Sequence, residues 1–132
     1  MQEVSTLPKT KAIIIVEDDV EIAELIKQTL NDEPDYQAVA VHGGARALQV
    51  IRSVKSCLVL LDVMLPGMSG FQIYDHMQQD ETLRRVPVIF CTAGEHTNEF
   101  RRRNIKKVIR KPFDLDELVA QVDEVCRPFG QS

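Results

Sequence analysis

No stretch of this 132-residue chain approaches the run of about 18 apolar residues that a membrane-spanning helix needs. Residues 1–10 lack the apolar core of a signal peptide, so a cytoplasmic protein without membrane contact is expected. Cysteine is scarce: Cys57, Cys91 and Cys126 lie 34 and 35 residues apart, with no CxxC and no histidine at ligand spacing. This argues against a disulfide or zinc framework and reads as free, mostly buried thiols of a reducing compartment. Positive charge is in deficit, with 16 Lys+Arg against 20 Asp+Glu and a formal net charge of −4, which disfavours direct nucleic-acid binding. A GxxxxGK[ST] loop is missing, and with it the P-loop nucleotide hydrolases. There is no internal repeat and no low-complexity segment. One domain over residues 11–127 is expected, between a flexible segment at 1–10 and a short tail at 128–132, with no DNA-binding or enzymatic output domain.

What is present is an alternation of short apolar runs and amphipathic stretches, five times over. The runs are Ala12–Val16, Gln37–Val41, Leu58–Leu61, Val86–Cys91 and Lys107–Ile109. The first, third and fourth are nearly continuous in Ile, Val, Leu and Phe, the pattern of strands buried on both faces of a parallel sheet. The second is mixed and the fifth short and flanked by charge, so both look peripheral. Between the runs, Ile22, Leu25, Ile26 and Leu30 repeat at helical spacing, and Ala45, Leu48 and Ile51 form a shorter stripe. Ser69 and Gln72 make a capping box ahead of Phe71, Tyr74 and Met77. Asp114 opens a last helix that carries Leu115, Leu118, Val119, Val122 and Val125 inward. Residues 95–103 are polar, with Phe100 as the single large apolar side chain. Strands alternating with helices imply right-handed crossovers and a doubly wound (βα)5 sheet of the α/β class.

Sheets of this kind place their chemistry beyond the carboxyl ends of the strands. Glu17, Asp18 and Asp19 follow the first run, Asp62 the third, Thr92 the fourth, and Arg110, Lys111 and Pro112 the fifth. Asp19 fits a helix N-cap. Asp62 does not, because residues 63–70 form a loop whose cap is Ser69. Two unscreened charges about 5 Å apart repel by roughly 3 kcal/mol at an effective dielectric near 20. Glu17, Asp18 and Asp62 gathered at one edge therefore call for a hard cation, Mg²⁺ or Mn²⁺. A Lys and a Thr beside such a site supply the point charge and the hydroxyl that phosphoryl oxygens require. Mg²⁺-dependent phosphoryl transfer follows, with a carboxylate as the possible acceptor.

These residues occur as I-I-V-E-D-D at 14–19, D-V-M-L-P-G-M-S-G at 62–70, P-V-I-F-C-T-A at 87–93 and K-P-F at 111–113. In that order and spacing the chain resembles the response-regulator receiver domains of two-component phosphorelays, over about residues 11–127. The resemblance implies strand order 2-1-3-4-5. It implies that Asp62 takes a phosphoryl group from the phosphohistidine of a sensor histidine kinase or phosphotransfer protein. Asp18, Asp62 and the Met64 carbonyl would ligate Mg²⁺, with Glu17 acting through water in place of the commoner Asp. Thr92 and Lys111 would bind the phosphoryl oxygens, and a cis bond would precede Pro112. Catalysis would extend only to the domain's own phosphorylation and dephosphorylation.

Two departures from the family pattern stand out. Val108 occupies a position, three before the Lys, where the family usually carries an aromatic ring that turns inward as the Thr moves, and a Gly-Ala pair is missing ahead of it. The positions that in the family tune hydrolysis of the acyl phosphate, two after the acceptor Asp and two after the Thr, hold Met64 and Gly94 here. Met64 either covers the phosphoryl face or merely packs against its loop, and Gly94 offers no side chain, so slow self-dephosphorylation is expected. Residues 84–111 contain nine Lys or Arg against Glu95 and Glu99. The run reads either as a solvated face or as a docking surface, centred on 101–111, for an acidic protein target. His42, His76 and His96 share no spacing, and Tyr36 and Tyr74 read as packing residues. Two rival functions remain open. One is a receiver-like binding module that signals without phosphorylation. The other is an aspartyl phosphatase of the haloacid-dehalogenase type, for which Met64 stands where a second Asp is expected.

Overall fold

The computed structural model describes residues 11–127; the expected terminal segments at 1–10 and 128–132 lie outside them. Strands β1 (Lys11–Val16), β2 (Tyr36–Val41), β3 (Ser56–Leu61), β4 (Val88–Thr92) and β5 (Val108–Arg110) alternate with helices α1 (Val20–Asn31), α2 (Gly44–Ser53), α3 (Gly70–Gln78), α4 (Thr97–Arg102) and α5 (Leu115–Cys126). All pairs are parallel and the order is β2-β1-β3-β4-β5, which places the mixed second run and the short fifth run at the two edges. The fourth ladder starts two residues later than its apolar run. Pro87 has no N–H for a ladder bond, although its carbonyl still accepts from Val59 N at 3.0 Å.

Strand alternation divides the core in two. Ile14, Val16, Val59, Leu61 and Phe90 face α2, α3 and Phe100 of α4, whereas Ile13, Ile15, Leu58, Leu60, Ile89 and Cys91 face α1 and α5. Several side chains differ from the helical stripes read in the sequence. Leu25 is half exposed and Ala45 is exposed, while Ala23, Ala47 and Ile73 are buried in their place. A small Ala lets the helix axis approach the sheet, so the closest contact falls on Ala23 and Ala47 rather than on the next large residue of the stripe. In α5, Leu118, Val122 and Cys126 are buried, and Leu115, Val119 and Val125 flank them half-buried.

Local chemistry sets the helix starts. Asp19 accepts from Glu21 N and Ile22 N at 3.0 and 3.2 Å, Ser69 and Gln72 complete their reciprocal box, and Asp114 accepts from Asp116 N. Gly70 is required by close approach: a Cβ there would stand 2.1 Å from the Asp62 carbonyl oxygen and 3.0 Å from Val63 Cα. The start of α3 thus rests directly on the backbone that carries Asp62. Gly70→Ala is expected to cost about 1–3 kcal/mol by overpacking, read as a lower urea midpoint with unchanged slope. Wild-type stability in that variant would show that the contact yields without cost.

Candidate functional site

Glu17, Asp62 and Lys111 each occupy the first position beyond a strand, and each continues the ladder by one backbone bond. Glu17 N donates to Val41 O, Asp62 N to Val16 O and Lys111 N to Thr92 O, all at 3.0 Å. The sheet itself therefore fixes three of the candidate residues at one edge. Thr92 ends β4 and is fully buried, and Glu17 and Asp62 are only 3% and 6% exposed.

Their side chains converge on one ammonium. Lys111 Nζ donates to Glu17 Oε1 at 2.6 Å and to Asp62 Oδ2 at 3.0 Å. The other carboxylate oxygens take backbone donors, Asp19 N on Glu17 Oε2 at 3.0 Å and Met64 N on Asp62 Oδ1 at 3.2 Å. Two buried carboxylates thus share one cation. Burial holds Glu17 above the ordinary carboxylate range, and the charge of Asp62 pushes the same way, against the opposing bonds from Lys111 and Asp19. Burial alone would depress the Lys111 ammonium, but its bonds to Glu17 and Asp62 outweigh this and raise it. The Thr92 hydroxyl oxygen accepts from Gly94 N at 3.3 Å, which leaves its O–H as the donor. The Lys111–Pro112 bond is cis, as the resemblance implied.

Asp18 is not drawn into this group; it is exposed at the rim. Among the described residues no three His, Cys, Asp or Glu side chains converge as a metal cluster. The donor set nonetheless suits a hard dication. It is all oxygen, and Glu17 and Asp62 are closely placed and only half neutralised by Lys111. Met64 stands 66% exposed two residues after Asp62, so its side chain is not packed away against its loop.

The segment after Thr92 holds what the sequence reading missed. His96, whose spacing suggested an incidental residue, adopts φ 42° at the start of α4. Its ring lies against Gly94, where a Cβ would come within 2.4 Å of His96 Nε2. The ring also meets Phe71 and Phe100 edge-on at 5.8 and 6.2 Å. Phe100 in turn packs on Phe71 and Phe90, both at 5.3 Å. Val108, half-buried opposite Phe90, only lines this block. Aromatic mass next to the site is therefore supplied by Phe71 of α3, Phe90 of β4 and His96 and Phe100 at α4 rather than by a ring on β5. The one sequence signal was a bare Gly two residues before a His.

The basic run is largely committed inside the molecule. Arg103 donates to both oxygens of Asp75 at 2.8 and 2.9 Å and to Glu99 at 2.6 Å, with its guanidinium 4.7 Å from the Phe71 ring centre. These bonds hold the Asp75 carboxyl below its ordinary range. Arg102 pairs with Glu99, Lys107 with Glu124, and Arg110 with the Gly94 and Glu95 carbonyls. Arg84, Arg85, Arg101 and Lys106 remain exposed without a partner among the described residues. Arg84, Arg85 and Lys106 line one groove of about 370 Å³ at the opposite end of the sheet from Asp62. A docking surface centred on 101–111 is thus smaller than the sequence suggested.

A model of the response regulator receiver domain matches residues 13–123. The chain belongs to the response-regulator receiver family. It is 36% identical over 123 residues to the phosphate regulon transcriptional regulatory protein PhoB of Pseudomonas aeruginosa, covering 91% of this chain and 53% of that one. The chain thus spans about half the length of the curated relatives it matches. Among solved structures it resembles the response regulator TrrA of Thermotoga maritima in complex with Mg²⁺–BeF, with 27% identity, TM-score 0.77, and coverage of 88% of this chain and 99% of that one. A CheY-like receiver domain from Methanospirillum hungatei shares the fold, with 24% identity, TM-score 0.78, and coverage of 86% and 91%. Receiver domains act with histidine kinases in two-component systems. No helix among the described residues of this receiver is long and apolar enough to cross a membrane.

Glu17 carries a pH signature. Because its folded-state value lies above the ordinary 4.5, it supports folding fully below that range and withdraws support as pH rises through its raised value. In metal-free receiver, Glu17→Gln should match wild type in melting temperature near pH 4 and exceed it progressively toward neutrality. A variant less stable at neutral pH than at pH 4, relative to wild type, would reverse the sign.

Proposed function

We propose that this receiver accepts a phosphoryl group on Asp62 from the phosphohistidine of a partner kinase or phosphotransfer protein. The observation that carries the reading is the Asp62 carboxylate, nearly buried and yet bonded to one ammonium and one backbone N–H. A carboxylate oxygen of Asp62 attacks phosphorus as the P–N bond to the donor imidazole breaks. Lys111 transfers a hydrogen bond from Asp62 to a phosphoryl oxygen, and the buried Thr92 O–H donates to another. Bound Mg²⁺, or Mn²⁺, would neutralise the acidic cluster and the incoming phosphoryl oxygens. Glu17, Asp62 and the Met64 carbonyl would hold it, with Asp18 available from the rim. Lys111, already raised by its two carboxylates, stays charged throughout. The domain promotes only its own phosphorylation and dephosphorylation, and it works in the cytoplasm, which its three free thiols support.

The output runs through protein contact. Arg84, Arg85 and Lys106, the unpaired cations of the groove, would steer an acidic target. No nucleic acid need be contacted by the residues described.

With a small phosphodonor and Mg²⁺, the wild type should gain an acid-stable, hydroxylamine-labile phosphoryl group, and Asp62→Asn should gain none. Equal labelling of Asp62→Asn would overturn the assignment and leave a phosphorylation-independent module as the better reading. Turnover of a generic phosphate ester would instead indicate a phosphatase.

The exposed Met64 offers no polar atom to orient a hydrolytic water. Met64→Asn should therefore shorten the lifetime of the phosphorylated form by about threefold or more. Gly94→Glu is a poorer probe, since its Cβ must first displace the His96 ring. Unchanged decay in Met64→Asn would assign that control elsewhere.

A further inference from the structure

A second cluster of reactive groups lies at the far end of the sheet from Asp62. The register between β1 and β3 slips there: Ala12 pairs with Ser56 and Ile13 with Leu58, so Cys57 is an extra residue in β3. Bulges are uncommon in parallel pairs, and they break the alternation of side chains. Cys57 consequently shares a face with its neighbour Leu58 and packs into the core formed with α1 and α5. That core includes Cys126, in the last turn of α5. The bulge brings together two thiols that stand 69 positions apart in the chain.

The end of α5 is held at this same end of the sheet, where Arg127 pairs with Glu33 and Asp35 just ahead of β2. The two thiols act on each other, and the Lys11 ammonium acts on both. The interaction with Cys126 outweighs burial and holds the Cys57 thiol below its ordinary value, whereas burial pushes Cys91 up to about 12. Cys57 is only partly buried, while Cys126 is covered. A partly exposed thiol of lowered pKa, a covered second thiol in the same packed core and a nearby cation are the parts of a reversible dithiol site.

We propose that Cys57 and Cys126 form a peroxide-responsive pair that closes into an intramolecular disulfide, tying the end of α5 to β3. The Cys57 thiolate attacks one oxygen of hydrogen peroxide; an S–O bond forms, the O–O bond breaks, and the departing hydroxide takes up a proton to leave as water. Cys126 then attacks the sulfur of the Cys57 sulfenic acid. The S–S bond forms, the S–O bond breaks, and the hydroxyl leaves as a second water with the Cys126 proton. Two thiols are oxidised by two electrons and one peroxide is reduced to two waters. A small dithiol reverses the change by exchange. Neither step involves Asp62, so the pair stands independently of the phosphoacceptor reading.

The test is peroxide titration of the full 132-residue chain, followed by intact mass, thiol counting and peptide mapping. The expected product is a monomer lighter by about 2 Da, from loss of two thiol hydrogens. It should contain a Cys57–Cys126 cross-linked peptide and a reduced Cys91, and dithiothreitol should restore it. Its melting temperature should rise by about 5 °C or more, because the bond closes a long loop. Cys126→Ser should accumulate a Cys57 sulfenic acid that dimedone traps. Three titratable thiols after peroxide, a cross-link through Cys91, or one between two chains would each overturn the proposal, and wild-type mapping decides this even if a variant folds poorly.

Discussion

One ammonium between two buried carboxylates is the constraint around which this receiver is organised. A buried carboxylate without a partner is expensive, and two side by side are worse. The sequence places Glu17 after β1, Asp62 after β3 and Lys111 after β5. The order β2-β1-β3-β4-β5 sets those three strand ends close enough for one side chain to bridge them across β4. The ladder bonds of Glu17, Asp62 and Lys111 hold the backbone, and Gly70 lets α3 press against the same loop. The fold therefore supplies a rigid frame for an arrangement of charge that is left unbalanced. On the proposed reading, that imbalance is what a bound cation would neutralise, because Glu17 and Asp62 carry more negative charge than Lys111 offsets.

Beyond the acidic edge, the structure departs from the pattern that the family resemblance suggested. The ring expected on β5 is absent, and Val108 cannot replace it. Phe71, Phe90, Phe100 and His96 form a block that reaches from α3 and β4 to the Gly94 backbone, two residues from Thr92. Arg103 clamps this block from outside, its guanidinium over Phe71 and its N–H groups on Asp75 and Glu99. α4 is short, at six residues, and is held by this ring contact and this ion pair more than by its own length. Movement near Thr92 would therefore be felt first by His96 and Phe100.

Much of this was legible from local pattern. Continuous Ile, Val and Leu runs marked the central strands, and their first polar successors, Glu17, Asp62 and Thr92, together with Lys111 two residues beyond the short fifth run, are the side chains the sheet aligns at one edge. Ser69 with Gln72, and Asp19, announced their caps because capping chemistry acts within four residues. What escaped depends on contacts between distant segments. Leu25 looked as apolar as Ile26 but lost its place at the sheet to Ala23. Arg103 looked like free surface charge, because Asp75 lies 28 residues away. The bulge at Cys57 has no local signature at all; it is visible only as a slip in the pairing of β1 with β3.

The unbalanced triad can be tested directly by removing its cation while keeping its bulk, in Lys111→Met, and following thermal stability against pH and Mg²⁺. Without the ammonium, Glu17 and Asp62 face each other uncompensated. The melting temperature should fall relative to wild type at neutral pH, recover toward it as pH drops through the carboxylate range, and rise more steeply with millimolar Mg²⁺ than in wild type. A Lys111→Met receiver that melts like wild type at neutral pH, with no added response to acid or Mg²⁺, would contradict the account.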